Sequence, residues 1–273
     1  MTTLLEHVAG RDNRAFDFSD NKCWKSALHS FSWTVGEALD ATIWGFYRIM
    51  KVWIDDIDTN TILRTVLNNA RIFRGIALQK WIESKKWWYS LDYVSVLEDY
   101  VKCSWELTDL SVGFLDSITS FSLRLWSILD LEISQRPDAE SWVAMDPRFS
   151  QFSADVINKY LWREDYVFIT FWNGWIVPWF EVFSKLKCLT WERWKFYPVR
   201  FSRIKSKDNI PQITLSEKRV IEVWVQWKQI ILFDEDSSSW NTLLKAEEFF
   251  QNQFPENTWI FKRSNIGIHG YVR

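Results

Sequence analysis

The stretch Val35–Ile57 reads VGEALDATIWGFYRIMKVWIDDI. Its apolar residues Val35, Leu39, Ile43, Phe46, Met50, Trp53 and Ile57 recur in steps of three and four. That spacing places one apolar stripe along a helix of roughly six turns. The acids Asp55, Asp56 and Asp58 oppose the dipole at the end of that helix and suit the start of the next, with Asp58 or Thr59 as its N-cap.

Working outward, the pattern repeats. Ile62, Val66, Ala70, Phe73, Ala77 and Trp81 form a second stripe. Ser84–Ser90 interrupts it, and Ser90 can cap a third helix bearing Val94, Leu97, Val101 and Trp105. A fourth stripe runs through Leu110, Phe114, Ile118, Phe121, Leu125, Leu129 and Glu132, and Gln135-Arg136-Pro137-Asp138 ends it. Four amphipathic helices with short joints predict a bundle or antiparallel helical layer. The residues before them are polar, and 1–22 reads as an N-terminal arm ordered by Phe16 and Phe18.

Beyond residue 137 the hydrophobic period changes. Asp146-Pro147 marks a turn ahead of a helix. Tyr166–Phe180 is uncharged, but its 15 residues would span only about 22 Å as a helix, and Asn173-Gly174 and Pro178 break it. A buried strand fits better than a membrane span. Alternation over Val220–Trp227 reads as a half-buried strand, with Ile230–Phe233 as its antiparallel mate. A helix capped by Ser239 and a strand at Thr258–Phe261 complete the chain. The expected fold is α+β, with a polar arm over 1–22, a helical bundle-like region over 23–137 and a smaller mixed α/β region over 138–273.

Composition narrows the function classes. With 20 Trp and 20 Phe against 8 Gly and 6 Pro, ring area exceeds what a core readily hides, so several rings should face partners. The net charge of −2 is uneven: residues 184–273 hold 15 Lys+Arg and 10 Asp+Glu, or +5, which leaves −7 for residues 1–183. The three cysteines, Cys23, Cys103 and Cys188, are far apart and outside any CxxC, which favours free thiols in a reducing, intracellular compartment. The N-terminus lacks a basic segment followed by an apolar run, so no signal peptide is expected.

Phosphate-cradling glycine loops, GxSxG and HExxH do not occur, and the only histidines are His7, His29 and His269. No cofactor, metal or catalytic residue is assigned. The helix carboxylates Glu37, Asp40, Glu98, Asp99, Glu106 and Asp116 read as solvated faces. One stretch suggests a working surface. Lys185, Lys187, Arg193, Lys195, Arg200, Arg203, Lys205 and Lys207 are interleaved with aromatics that include Trp191 and Trp194. Cations for phosphates and rings for stacking suit a nucleic acid, and the same set suits an anionic membrane.

The sequence therefore points to a non-enzymatic structural or assembly protein that contacts other protein subunits through aromatic surfaces. The alternatives are an RNA-binding component of a ribonucleoprotein and a peripheral membrane matrix-type protein.

Overall fold

A computed structural model of the chain describes residues 3–12, 15–16, 32–52, 56–86, 88–134, 139–161, 165–172, 177–190, 195–201, 210–211, 213–226, 228–236, 241–255 and 260–266. The fold is α+β with a helical N-terminal part. It divides into two compact units, Met1–Pro147 and Arg148–Arg273. The break thus falls at the Asp146-Pro147 turn, ten residues beyond the boundary expected at 137.

The first unit contains α1 (Leu4–Arg11), β1 (Ser32–Thr34), α2 (Val35–Lys51), α3 (Thr59–Glu83), α4 (Tyr93–Thr108), α5 (Phe114–Arg124), a 3-10 turn (Trp126–Ile128), β2 (Glu132–Ser134) and α6 (Ala139–Ala144). The expected polar arm is corrected here. Residues 4–11 form a helix because Thr3 and Glu6 make a capping box, and Leu4, Leu5 and Val8 are fully buried. The fourth expected helix ends early, at Arg124, and β2 follows it. β2 pairs antiparallel with β1, Trp33 opposite Ile133.

α3 is the axis of this unit. Its buried positions lie all around it, from Ile62 and Leu63 through Ile72 and Phe73 to Ala77 and Lys80. Asp58 caps its start, accepting from Thr61 N at 2.9 Å. α2 packs antiparallel against α3 at two close points. A Cβ added at Gly45 would lie 2.0 Å from Thr65 Oγ1, and one added at Gly75 would lie 2.2 Å from Val35 Cγ2. α4 adds Tyr100, whose ring stacks on Phe73 at 5.3 Å and whose hydroxyl donates to Asn69 O at 3.0 Å. Phe114 of α5 meets Phe46 of α2, centroids 4.4 Å apart.

The second unit contains α7 (Pro147–Leu161), β3 (Tyr166–Trp172), α8 (Val177–Thr190), β4 (Lys195–Arg200), α9 (Leu215–Val225), β5 (Gln229–Asp236), α10 (Asn241–Gln253) and β6 (Ile260–Ile266). Its four strands lie in the order β4-β3-β5-β6, and every pair is parallel. Parallel neighbours need crossovers, and each crossover here carries one helix. This explains why β3 and the Ile230–Phe233 part of β5 read as nearly unbroken apolar runs, since both sheet faces are covered. Phe168 faces Phe183 of α8 at 6.1 Å, while Phe171, on the opposite face, meets Phe250 of α10 at 6.1 Å.

One expectation is corrected in this unit. Val220–Trp227 is not a strand: residues up to Val225 belong to α9, so β5 has no antiparallel mate there. The alternation is accidental, because the buried residues are Ile221 and Val225, four apart, while Val223 is exposed. A capping box between Thr214 and Glu217 starts this helix, and Glu217 also accepts a hydrogen bond from Tyr197 of β4. The strand expected at Thr258–Phe261 is described from Ile260, as Ile260–Ile266, and 256–259 lies outside the described residues.

Candidate functional site

α2 starts with a third capping box, in which Thr34 N donates to Glu37 Oε2 at 2.7 Å and Glu37 N to Thr34 Oγ1 at 3.1 Å. Its inward face is Val35, Ala38, Leu39, Thr42, Gly45, Phe46 and Ile49. This face differs from the stripe of large residues read in the sequence. Small residues let α2 approach α3, and the helix is rotated so that Met50 points outward, 44% exposed.

The rotation leaves a second row of side chains exposed: Glu37, Asp40, Trp44, Tyr47, Arg48 and Lys51. Their spacing of threes and fours places them on one helical face. Trp44 is 66% exposed and Tyr47 47%, far more than rings of this size usually leave to water. The two rings meet edge to face at 6.0 Å, and Lys51 Nζ sits over the Tyr47 ring at 5.8 Å. Asp40 and Arg48 form no ion pair among the described residues, and Arg48 lies close enough to Asp58 to favour that carboxylate. The row runs from acidic through aromatic to basic, over about 21 Å of helix.

Of the basic stretch read in the sequence, the structure describes Lys185, Lys187, Lys195 and Arg200. Lys185 is buried in α8, and Lys187 lies on the same helix. Lys195 begins β4 and is exposed, with Nζ over the Trp224 ring at 5.6 Å. Arg200 ends the same strand, roughly 16 Å away at the rise of a β-strand. Trp191, Arg193, Trp194, Arg203, Lys205 and Lys207 lie outside the described residues.

Buried polar groups cluster along α3. Arg71 stacks over the Trp33 ring at 5.1 Å and donates to Asn68, and burial, reinforced by the charge of Arg64, lowers its guanidinium to about 10. Glu83 is fully buried at the other end of the helix and accepts from Gln79, Ser90 and Tyr93. Nearby on α4, burial and then the carboxylates of Glu106 and Asp99 push the Cys103 thiol up to about 12, so it is protonated and inert at neutral pH. Cys23 lies outside the described residues. Of the carboxylates read as solvated, Glu106 is buried, and Asp99 pairs with Arg124 at 2.5 Å.

Among the described residues no group of three His, Cys, Asp or Glu could hold a metal ion, and no helix is long and apolar enough to cross a membrane. In the second unit, β3 leads to β4 on one side while β5 leads to β6 on the other, so the winding reverses between β3 and β5. Open parallel sheets place ligands outside the carboxyl ends of their strands at such a reversal. Here β5 ends in Asp234, Glu235 and Asp236, with Asp234 buried. In the neighbouring strand the fully buried Thr170 hydroxyl has no hydrogen-bond partner among the described residues. The segments 173–176 and 237–240, which follow these strands, lie outside the described residues.

No protein-family model matches the chain, and neither a curated protein nor a solved structure shows significant similarity to it.

Proposed function

We propose that this chain is a non-enzymatic assembly protein that meets a protein partner through the outward face of α2. The observation that carries this reading is Trp44, two-thirds exposed on a regular helix and joined edge to face by the exposed Tyr47. Aromatic rings held out on rigid elements are the usual anchors of protein interfaces, and they lose little side-chain entropy on docking. The basic stretch lends less support to the RNA and membrane alternatives, because Lys185 is buried and Lys195 and Arg200 stand at opposite ends of one strand.

The test is a photo-crosslinking amino acid placed at Asp40 of the full chain in its native cells. A nuclease-resistant protein adduct is expected, and it should be lost when Trp44 is also replaced by serine. Absence of any protein adduct, or adducts that disappear with nuclease, would overturn the reading.

A further inference from the structure

We infer that the partner of the α2 face is a second copy of this chain, docked antiparallel about a two-fold axis that passes beside Trp44. This rests on the assembly reading above and names the partner. The argument comes from the order of residues along the exposed row. Glu37 and Asp40 occupy its N-terminal end, Trp44 its centre, and Arg48 and Lys51 its C-terminal end.

Antiparallel pairing centred on Trp44 sets each residue opposite the one equally far beyond the centre. Glu37 then faces Lys51 of the second copy, and Asp40 faces Arg48. Trp44 meets Trp44, and Tyr47 lies over Ala41, whose small side chain leaves room for the ring. Each pair occurs twice, as an isologous interface requires. Parallel pairing would instead set acid on acid and base on base, so the charges select the antiparallel arrangement.

The groups are available for this contact. Asp40, Arg48 and Lys51 are exposed and make no ion pair among the described residues. Glu37 caps its own helix through one carboxylate oxygen, Oε2, and remains exposed. The two rings offer roughly 300 Å² per subunit. Over both subunits the rings come to about 600 Å², and the flanking charged side chains add to it, which places the contact among small, transient interfaces. The association is therefore expected in the micromolar range, and it should weaken with salt because its ion pairs lie at a solvated rim.

Charge exchange tests the register. Asp40→Arg sets a new guanidinium against Arg48 of the other copy at both symmetric positions, and Arg48→Asp sets acid against acid. Each single variant should weaken self-association about tenfold or more, measured by sedimentation velocity at low salt. An equimolar mixture of the two variants should form a heterodimer as tight as the wild-type homodimer within about threefold, because every repulsive pair becomes attractive. Circular dichroism of each variant checks that α2 still folds, and formation of the heterodimer shows it independently. A wild-type chain that stays monomeric at about 100 μM, far above the expected range, overturns the inference. So does a mixture that fails to recover affinity. If the chain is monomeric while the crosslinker at Asp40 still captures a different protein in an adduct that Trp44→Ser removes, only the identity of the partner falls and the assembly reading stands.

Discussion

Replacing Glu83 by alanine is expected to destabilise the helical unit by about 3 kcal/mol or more, because it leaves several buried donors without their acceptor. The carboxylate is fully buried at the C-terminal end of α3. The end of a helix is an unfavourable place for a negative charge, since the last carbonyls already carry partial negative charge. The surroundings compensate. Gln79 donates from one turn earlier at 2.6 Å, Ser90 N at 3.0 Å, Tyr93 OH at 2.8 Å, and the Ser90 hydroxyl also donates. These bonds tie the connection between α3 and α4 back onto α3. Tyr93, which donates to Glu83, also receives the buried Lys80 over its ring at 5.9 Å, so loss of the carboxylate loosens that contact as well.

The same group makes the stability depend on pH. Burial alone would push the Glu83 carboxyl up, but the hydrogen bonds from Ser90, Tyr93 and Gln79 outweigh it and hold the group below its ordinary value of 4.5. A carboxyl whose folded value is depressed stabilises the fold above its unfolded value, and the contribution disappears as pH falls through the folded value. Asp58, at the other end of α3, behaves alike: burial raises it, and the bonds from Thr61 more than offset this. The helical unit should therefore lose stability as pH falls below about 4.5. Urea unfolding followed by helical circular dichroism at pH 7 and pH 3 measures it. Glu83→Gln should be less stable than wild type at pH 7 and show a smaller loss between the two pH values. An equal loss in both proteins would show that Glu83 does not carry the effect.

The helices of the first unit are legible in the sequence because large apolar residues mark them at regular spacing. The orientation of α2 is not, and the candidate site depends on it. A stripe drawn through Val35, Leu39, Ile43, Phe46 and Met50 counts only bulk, whereas the face that meets α3 is lined with Ala38, Thr42 and Gly45. Close helix approach is written in small residues, which such counting passes over. In the second unit, two adjacent apolar runs in a short sequence suggest antiparallel neighbours. The better signal is Thr214-Leu-Ser-Glu217, a capping box that turns the first run into a helix and forces the next strand to return in parallel. The same motif at Thr3 and Thr34 marks α1 and fixes the start of α2. Composition alone cannot separate a buried Lys185 from an exposed Lys195, so the basic stretch is poorly resolved by it. The outward row of α2 escapes any reading that treats its charges one by one as solvated.

Gly45→Ala is expected to destabilise the protein by about 1–3 kcal/mol, although alanine is the better helix former by about 1 kcal/mol. The opposition of these two terms makes the test decisive. Gly45 lies in the interior of α2, where a glycine without a packing role would be improved by alanine. Here the added Cβ would fall 2.0 Å from Thr65 Oγ1, 2.9 Å from Thr65 Cβ and 3.0 Å from Thr65 Cγ2. Thr65 cannot turn aside easily, because its β-branched side chain is stiff and its hydroxyl donates to Thr61 O at 2.7 Å. Relief therefore requires α2 and α3 to move apart. That would open the contact along the whole pair, including the other close point, where Gly75 receives Val35. Thr65→Gly in the same chain removes the three atoms nearest to the new methyl. The double variant should recover part of the loss, with a coupling energy of about 1 kcal/mol or more between the two positions. Chemical unfolding of the four proteins of this cycle supplies the measurement. A Gly45→Ala variant as stable as wild type or more stable would show that α2 and α3 do not meet this closely at Gly45 and Thr65. The outward orientation of Trp44, the adjacent residue, would then lose its structural basis.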